Sequence, residues 1–325
     1  MTEDSTSYEA AKKKVALAEI PLGKIAFRGP DRHLFLNGLL TNDIKNLPQG
    51  QGLLACLLTP KGKLIAHLFL YHQGTQHLAL QVPQVTSSIM TTLSKSIVLT
   101  QTTMEDITSL WKSLYVVGPL TQNFLDNALS PFPVLALYGC AQITWQGEPI
   151  LLFSYPLYHP EGILLLSSPL LFQKIKSHLL GTGKTEIPWL DSSALETLRV
   201  EAGVVLQDVD TDPETFPLEV GLEGAISFSK GCYMGQETMS RIKNLGHVNR
   251  HLVGLKMKNP VSVGSIVLWE KEPVGKITSL VYSPHLQANL GLAMIPTHRS
   301  SPGTRLKVFS SNREETVEVV SLPLL

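Results

Sequence analysis

Gly62-Lys63-Leu64-Ile65-Ala66-His67-Leu68-Phe69-Leu70-Tyr71-His72-Gln73-Gly74-Thr75-Gln76-His77-Leu78-Ala79-Leu80-Gln81-Val82 holds two apolar runs around one turn dipeptide. Leu64, Leu68 and Leu70 fall in a partly alternating run, Gln73-Gly74 marks a turn, and Leu78, Leu80 and Val82 alternate again. Period-two patterning on both sides of a short polar break predicts a β-hairpin. Downstream, Val85 to Ser94 has helical character, and Ile97 to Leu99 and then Leu110 to Val117 return to β-type composition. The resulting β-β-α-β order recurs. Ile150 to Phe153 and Ile163 to Leu166 read as strands around a turn over Pro156 to Gly162, and Pro169 to Leu180 carries Leu170, Leu171, Ile175 and Leu179 at helical spacing. Two such units point to an α+β fold built on a pseudo-repeat, not to a parallel α/β sheet with regular crossovers.

A further helix is predicted from Ser192 or Ser193 to Ala202, with serine at the cap, Glu196 near the third helical position and Gly203 just past the end. After Asn249 the composition changes. Leu252 to Leu255, Ile266 to Trp269, Val274 to Val281, Leu306 to Phe309 and Val317 to Val320 are short apolar runs separated by Gly, Pro, Ser and Asn, the pattern of a small β-barrel. The expected domains are therefore residues 1–118, residues 119–248 and a barrel over residues 249–325, with exchange of elements between the first two.

The chain has 325 residues, more than one hydrophobic core usually serves. Lys and Arg number 27, as do Asp and Glu, so the global electrostatic drive of a dedicated nucleic-acid binder is absent. Cys56, Cys140 and Cys232 are odd in number and far apart, which argues against a disulfide framework or a zinc ribbon and fits a reducing cytoplasm. The N-terminus lacks the charged-then-apolar order of a signal peptide. The most apolar stretch, Ile150 to Phe172, is broken by Pro156, Pro160, Glu161 and Pro169, so no run reaches the roughly 20 residues of a membrane span.

Several chemical motifs fail on inspection. Gly181-Thr182-Gly183-Lys184-Thr185 ends like a phosphate-binding loop, but the motif's first glycine falls at His178 and a helix precedes it. His247 and His251 have the spacing of helical metal ligands, yet Gly246 and Asn249 argue against one helix, so no metal site is expected. His67, His72 and His77 recur every five residues, which places successive members on opposite strand faces as ordinary positions. No Gly-x-Ser-x-Gly elbow, HExxH or dinucleotide-binding glycine fingerprint is present. Between Thr238 and Trp269 there is no acidic residue, whereas Arg241, Lys243, Arg250, Lys256 and Lys258 are basic. That segment either pairs with Asp208, Asp210, Asp212, Glu214, Glu219 and Glu223 upstream or receives one small anion.

Thr197-Leu198-Arg199-Val200-Glu201-Ala202-Gly203, Phe216-Pro217-Leu218-Glu219, and Lys230-Gly231-Cys232-Tyr233-Met234-Gly235-Gln236-Glu237 with Arg241, Gly246 and Arg250 resemble, in order and spacing, the YgfZ-type folate-binding proteins. Asp31-Arg32, Phe35 to Asp43 and Leu58 to Lys63 look like that family's opening motifs. The family is related to the T protein of the glycine cleavage system, an aminomethyltransferase that uses tetrahydrofolate. The resemblance implies a ring of two α+β units and a C-terminal β-barrel around a folate site. It implies that Glu201 holds the pterin, since a carboxylate accepts two parallel hydrogen bonds from its amino group and ring N–H. It further assigns Arg241, Tyr233, Lys230 and Asn42 to folate binding. A role in assembly or repair of iron–sulfur clusters in other proteins follows, tRNA-modifying enzymes included. Folate and those client or assembly proteins are then the partners, without membrane or direct nucleic-acid contact.

One departure from the T protein bears on activity. Where that enzyme carries an acidic pair including the catalytic aspartate, this chain has Ala66 and His67. The resemblance therefore implies an aminomethyltransferase fold without its aspartate, and the competing function is a folate-dependent aminomethyltransferase or demethylase acting on a small donor. Cys232 is the candidate catalytic residue. A helix over Gly235 to Lys243 and nearby Lys230 would both favour its thiolate. The other reading makes it a small buried residue in a tight turn.

Overall fold

The computed structural model describes residues 3–182, 186–310 and 313–324. In chain order the elements are α1 (Glu3–Lys13), β1 (Ala16–Glu19), β2 (Gly23–Arg28), α2 (Arg32–Leu39), β3 (Gly52–Leu58), β4 (Leu64–Gln73), β5 (Gln76–Gln81), α3 (Thr86–Ile97), β6 (Thr103–Asp106), β7 (Lys112–Val117), α4 (Thr121–Ala128), β8 (Cys140–Trp145), β9 (Glu148–Ser154) and β10 (Ile163–Ser167). They continue with α5 (Pro169–Leu180), α6 (Ser192–Glu201), α7 (Gln236–Leu245), β11 (Arg250–Met257), β12 (Ile266–Trp269), β13 (Glu272–Ser283), β14 (Ala288–Pro296), β15 (Arg305–Ser310) and β16 (Arg313–Val320). The chain divides into two compact units. The first is Met1–Pro60, Ile65–Ala194 and Ala225–Met234, and the second is Lys61–Leu64, Leu195–Gly224 and Gly235–Leu325.

The first unit contains two five-stranded sheets, in orders β3-β4-β5-β2-β6 and β1-β7-β10-β9-β8. The predicted hairpin is β4–β5, with Gln73 opposite Gln76. Gly74 sits at φ +60°, the left-handed conformation that a two-residue hairpin loop requires. The alternation in β4 is only partial because both of its faces are covered. Ala66, Leu68 and Leu70 join Phe35 and Leu36 of α2 and Ile89 and Leu93 of α3 in one core. On the other face Phe69 meets Tyr155 and Tyr71 meets Phe153, and the Tyr71 hydroxyl donates to the Ser154 carbonyl at 2.7 Å. The other sheet buries Leu114, Val116, Leu152 and Leu165 against Leu171, Phe172, Ile175 and Leu179 of α5. That helix starts as its sequence suggests, with Ser168 accepting from the Leu171 N–H and Pro169 in the first turn.

Two local expectations are corrected. Ile97 closes α3, and Val98 and Leu99 follow as exposed residues, because Ile89 and Leu93 keep the helical period running through the segment. The strand that does follow, β6, is polar and mostly exposed, and is held by ladder bonds to β2 at the sheet edge. In α6 the cap is Asp191, whose carboxylate accepts from the Ala194 N–H at 2.7 Å, and neither serine takes that role. The end of α6 follows expectation: Gly203 at φ +66° donates to the Val200 carbonyl and Val204 to that of Arg199, a Schellman closure.

The second unit holds a closed six-stranded barrel in the order β11-β14-β13-β12-β15-β16. Its interior is Leu255, Val267, Ile277, Ala293, Ile295, Val308, Val317 and their neighbours. Register shifts at Val267/Leu268 and Ile277/Ser279 bend the strands as closure demands. Val200 of α6 packs outside the barrel on Leu290 and Leu292. β14 escaped the sequence pattern because its alanines, Gly291 and Pro296 dilute the β-branched signal. Gly183 to Thr185, the end of the rejected phosphate-loop match, lies outside the described residues. No described helix is long and apolar enough to cross a membrane.

Candidate functional site

The Lys230-Gly231-Cys232-Tyr233 turn lies in the first unit, against the end of α2. Lys230 Nζ donates to the carbonyls of Asn37, Leu40 and Asn42 at 2.6, 2.6 and 2.7 Å. These include carbonyls that the helix leaves unpaired at its C-terminus, where a cation is favoured by both hydrogen bonding and dipole. Burial pushes the amine down to about 8, opposed by the charge of Asp43, so it stays largely protonated at neutral pH. Asn42 is brought to the same place, with its side-chain amide donating to the Leu54 carbonyl and its Oδ1 accepting from the Asp43 N–H. Thr41 fastens the turn by donating to the Ala225 carbonyl at 2.6 Å and accepting from the Cys56 N–H.

Tyr233 is buried with its ring 5.0 Å from Lys230 Nζ, and its hydroxyl is buried without a hydrogen-bond partner. Burial, then the neighbouring Cys56, lifts that phenol to about 12, so it is a neutral donor. Cys232 is exposed, which removes the reading of a small buried turn residue. The helix expected after it forms as α7, four residues downstream of the thiol. Lys230 is committed to its three carbonyls. Cys56 and Cys140 are buried, and burial pushes both thiols up to about 12.

Ala66 is part of the sheet core, so no carboxylate occupies that strand position. His67 points to the other side of β4, and burial lowers its pKa to about 4, leaving a neutral imidazole with its Nδ1 unpartnered. The five-residue histidine rule fails between His72 and His77. They stand opposite each other in the hairpin register, because the turn reverses the chain and restores them to one face.

Glu201 and Arg241 belong to the second unit and have different surroundings. Glu201 ends α6 and is 1% exposed, so it is not the solvated helix-end carboxylate that the isolated sequence would suggest. Ser283 of β13 donates to its Oε1 at 2.6 Å, and its carbonyl accepts from the Leu324 N–H. Arg241 is on the solvated face of α7 beside Glu237 at 3.2 Å, an exposed pair worth little.

Arg199, two residues before Glu201, is the feature that sequence reading passed over. Its guanidinium is 4% exposed, bidentate to Glu196 at 2.7 and 2.8 Å, and bound to Asp210 at 2.7 Å, the Val204 carbonyl at 2.6 Å and Ser279 at 2.6 Å. Asp210 in turn accepts from Thr278 and Ser279. The only advance signal was an arginine four residues before a helix-ending glycine. The acidic and basic segments pair internally as one reading proposed: Arg250 meets Asp212 at 2.9 Å and Glu219 at 3.1 Å. A cavity of about 470 Å³ beside this pair is lined by Asp208, Asp210, Asp212, Arg250 and Lys276 among others. His247 lies in the turn after α7 and His251 on β11, so they share no helix.

Residues 4–230 match the family model of the GCVT N-terminal domain, and residues 250–325 match that of the glycine cleavage T-protein C-terminal barrel domain. An aminomethyltransferase of Rippkaea orientalis is 28% identical over 330 residues, covering 97% of this chain and 88% of that protein. A chloroplast protein of Arabidopsis thaliana, named only as belonging to the transferases, is 28% identical over 310 residues, covering 94% of this chain and 71% of its own length. The crystal structure of glycine cleavage system aminomethyltransferase T from Bartonella henselae superposes with a TM-score of 0.88 at 20% identity, covering 98% of this chain and 89% of that one, a likeness of fold. With both domain models matched in order along most of its length, the chain belongs to the glycine cleavage T-protein family.

Proposed function

We propose that this T-protein-family member binds a reduced folate, tetrahydrofolate in the first instance, and acts as a YgfZ-type accessory protein for iron–sulfur proteins and not as an aminomethyltransferase. The observation that carries the folate reading is the buried, unpartnered hydroxyl of Tyr233 inside the Lys-Gly-Cys-Tyr turn. A buried polar group without a partner costs about 1–3 kcal/mol, and a ligand acceptor would remove that cost. The buried carboxylate of Glu201 supports the same reading. Ser283 fixes its orientation, which is what a bidentate acceptor for a pterin amino group and ring N–H needs. Glu201, Tyr233, Lys230, Asn42 and Arg241 are the proposed folate residues, with Lys230 acting by bracing the turn and Arg241 as the exposed cation for a glutamate tail. A bound folate would supply one-carbon acceptor chemistry. The chain's own residues bind and orient it.

The accessory role is favoured by Ala66 in the sheet core, where a transferase would need a carboxylate. It is also favoured by Cys232, the exposed thiol among the described cysteines and the proposed reactive residue. Client enzymes, those that modify tRNA included, come from the YgfZ resemblance, whereas a cytoplasmic setting follows from the few, scattered cysteines and the proposed boundaries at residues 118 and 248 from the sequence patterning. A second reading, folate-dependent aminomethyl transfer or demethylation, is favoured by relatives named aminomethyltransferases that align over nearly the whole chain.

Titration of the full chain with tetrahydrofolate, followed by calorimetry, tests the common part. Saturable binding is expected, weakened on the order of 10-fold in Glu201→Gln and on the order of 100-fold in Glu201→Ala, as losing a charged hydrogen-bond partner of about 1.5–3 kcal/mol requires. No binding by the wild type would sink both readings. Formation of methylene-tetrahydrofolate from an aminomethyl donor at steady state would favour the second over the first.

A further inference from the structure

His72 and His77 face each other across the β4–β5 hairpin, on the side where Leu70 and Ala79 meet α2. Their rings stack at 4.7 Å between centroids, and His33, in the first turn of α2, meets them edge-on at 4.7 and 4.4 Å. One side-chain nitrogen from each of the three lies within 4.8 Å of the other two. All three residues belong to the first unit.

The hydrogen bonds set which nitrogens carry lone pairs. His72 Nδ1 lies 3.1 Å from the Leu47 carbonyl, which can only accept, so the proton sits on Nδ1 and Nε2 presents its lone pair. His33 is bonded to the backbone of Ile44 while its buried Nδ1 has no partner, so the lone pair falls on Nδ1. His77 is fully buried, and neither ring nitrogen has a partner. Leaving such a ring dry on both sides is costly, and a ligand that takes its lone pair relieves part of that cost. Neutral imidazole is the ligating form.

We propose that His33, His72 and His77 form a binding site for one divalent transition-metal ion of the zinc class, with water completing the coordination. Three imidazoles without carboxylate or thiolate suit zinc, copper or nickel and not magnesium or calcium, which take oxygen ligands. The carbonyls of Leu47 and Ile44 play the part that outer carbonyls play at metal-bound histidines, fixing tautomer and ring direction. Zinc–nitrogen bonds of about 2.0–2.1 Å put tetrahedral ligand nitrogens roughly 3.3 Å apart, so side-chain rotations of the order of an ångström close the site. His33 and His72 are partly exposed, whereas His77 is buried. Arg32 is the charge that opposes a cation here. Its Nη1 is held on the Gly29 carbonyl at 3.0 Å, and binding must come from ligation and not from local charge. The site is independent of the folate reading.

The test uses the tag-free full chain, stripped with a chelator and titrated with zinc against a chromophoric competitor. One zinc per chain is expected, with affinity reduced in His33→Gln and in His72→Gln by at least the roughly 10- to 100-fold that loss of an outer-shell partner costs, and unchanged in His247→Gln or Cys232→Ser. Cobalt substitution serves where a variant loses its far-ultraviolet dichroism. The wild type should give tetrahedral visible bands without thiolate charge transfer. Failure of the wild type to take up stoichiometric zinc, wild-type affinity in both His33→Gln and His72→Gln, or a cobalt–thiolate band would each overturn the proposal.

Discussion

Tyr233 shows how much one atom can separate stability from function. Its ring packs beside the Lys230 ammonium, but its hydroxyl is dry and unpaired. Removing an unsatisfied buried group is neutral or favourable, so Tyr233→Phe should raise the stability of the ligand-free protein by up to about 1 kcal/mol in urea denaturation. The same variant should bind tetrahydrofolate more weakly than wild type. A variant that is destabilised with unchanged folate affinity would show that the hydroxyl has a structural partner instead. Lys230 is a contrasting case in the same turn. From the sequence it could be read as a free cation beside Cys232, and only the fold reveals that three carbonyls hold it.

Among elements, β4–β5 was the most legible, because a two-residue turn between apolar runs leaves few other conformations. Its histidines were misread for the same reason that its strands were found. Face alternation holds within a strand, and a reversal resets it, so pairing partners need the register and not the spacing. The tie between β11 and the 212–219 segment was foreseen only as opposite charge. Here Arg250 holds the Asp212 carboxyl down to about 2, from an ordinary 3.8. A depressed carboxylate adds stability above its unfolded pKa and loses it as pH falls through the folded value. Acid unfolding monitored between about pH 4 and pH 2 should therefore steepen in wild type, and Arg250→Gln should flatten that window while changing little of the slope near neutrality. An unchanged acid limb in Arg250→Gln would mean that the pair contributes nothing to folding.

At the scale of the second unit, Arg199 joins α6, the 204–210 segment and β13 of the barrel through one guanidinium. Because Asp210 is fully buried, Arg199→Met strands its charge, and removal of one partner from such a pair costs about 3–5 kcal/mol. Urea unfolding should show that loss, together with weaker folate binding through the neighbouring Glu201. A loss below about 1 kcal/mol would mean that Thr278 and Ser279 satisfy Asp210 unaided.

Patterns of period two and period 3.6, glycine at φ-positive turns and the spacing of the Arg-x-Glu-Ala-Gly and Lys-Gly-Cys-Tyr elements were enough to reach an α+β chain with a terminal barrel and its kinship with the T protein. These signals are local, and each residue carries its own share of them. The burial of Glu201, the engagement of Lys230, the orphaned Tyr233 hydroxyl and the meeting of His33 with His72 and His77 join residues tens to hundreds of positions apart. Contacts of that kind arise when sheets and helices pack, and one-dimensional spacing contains no term for them.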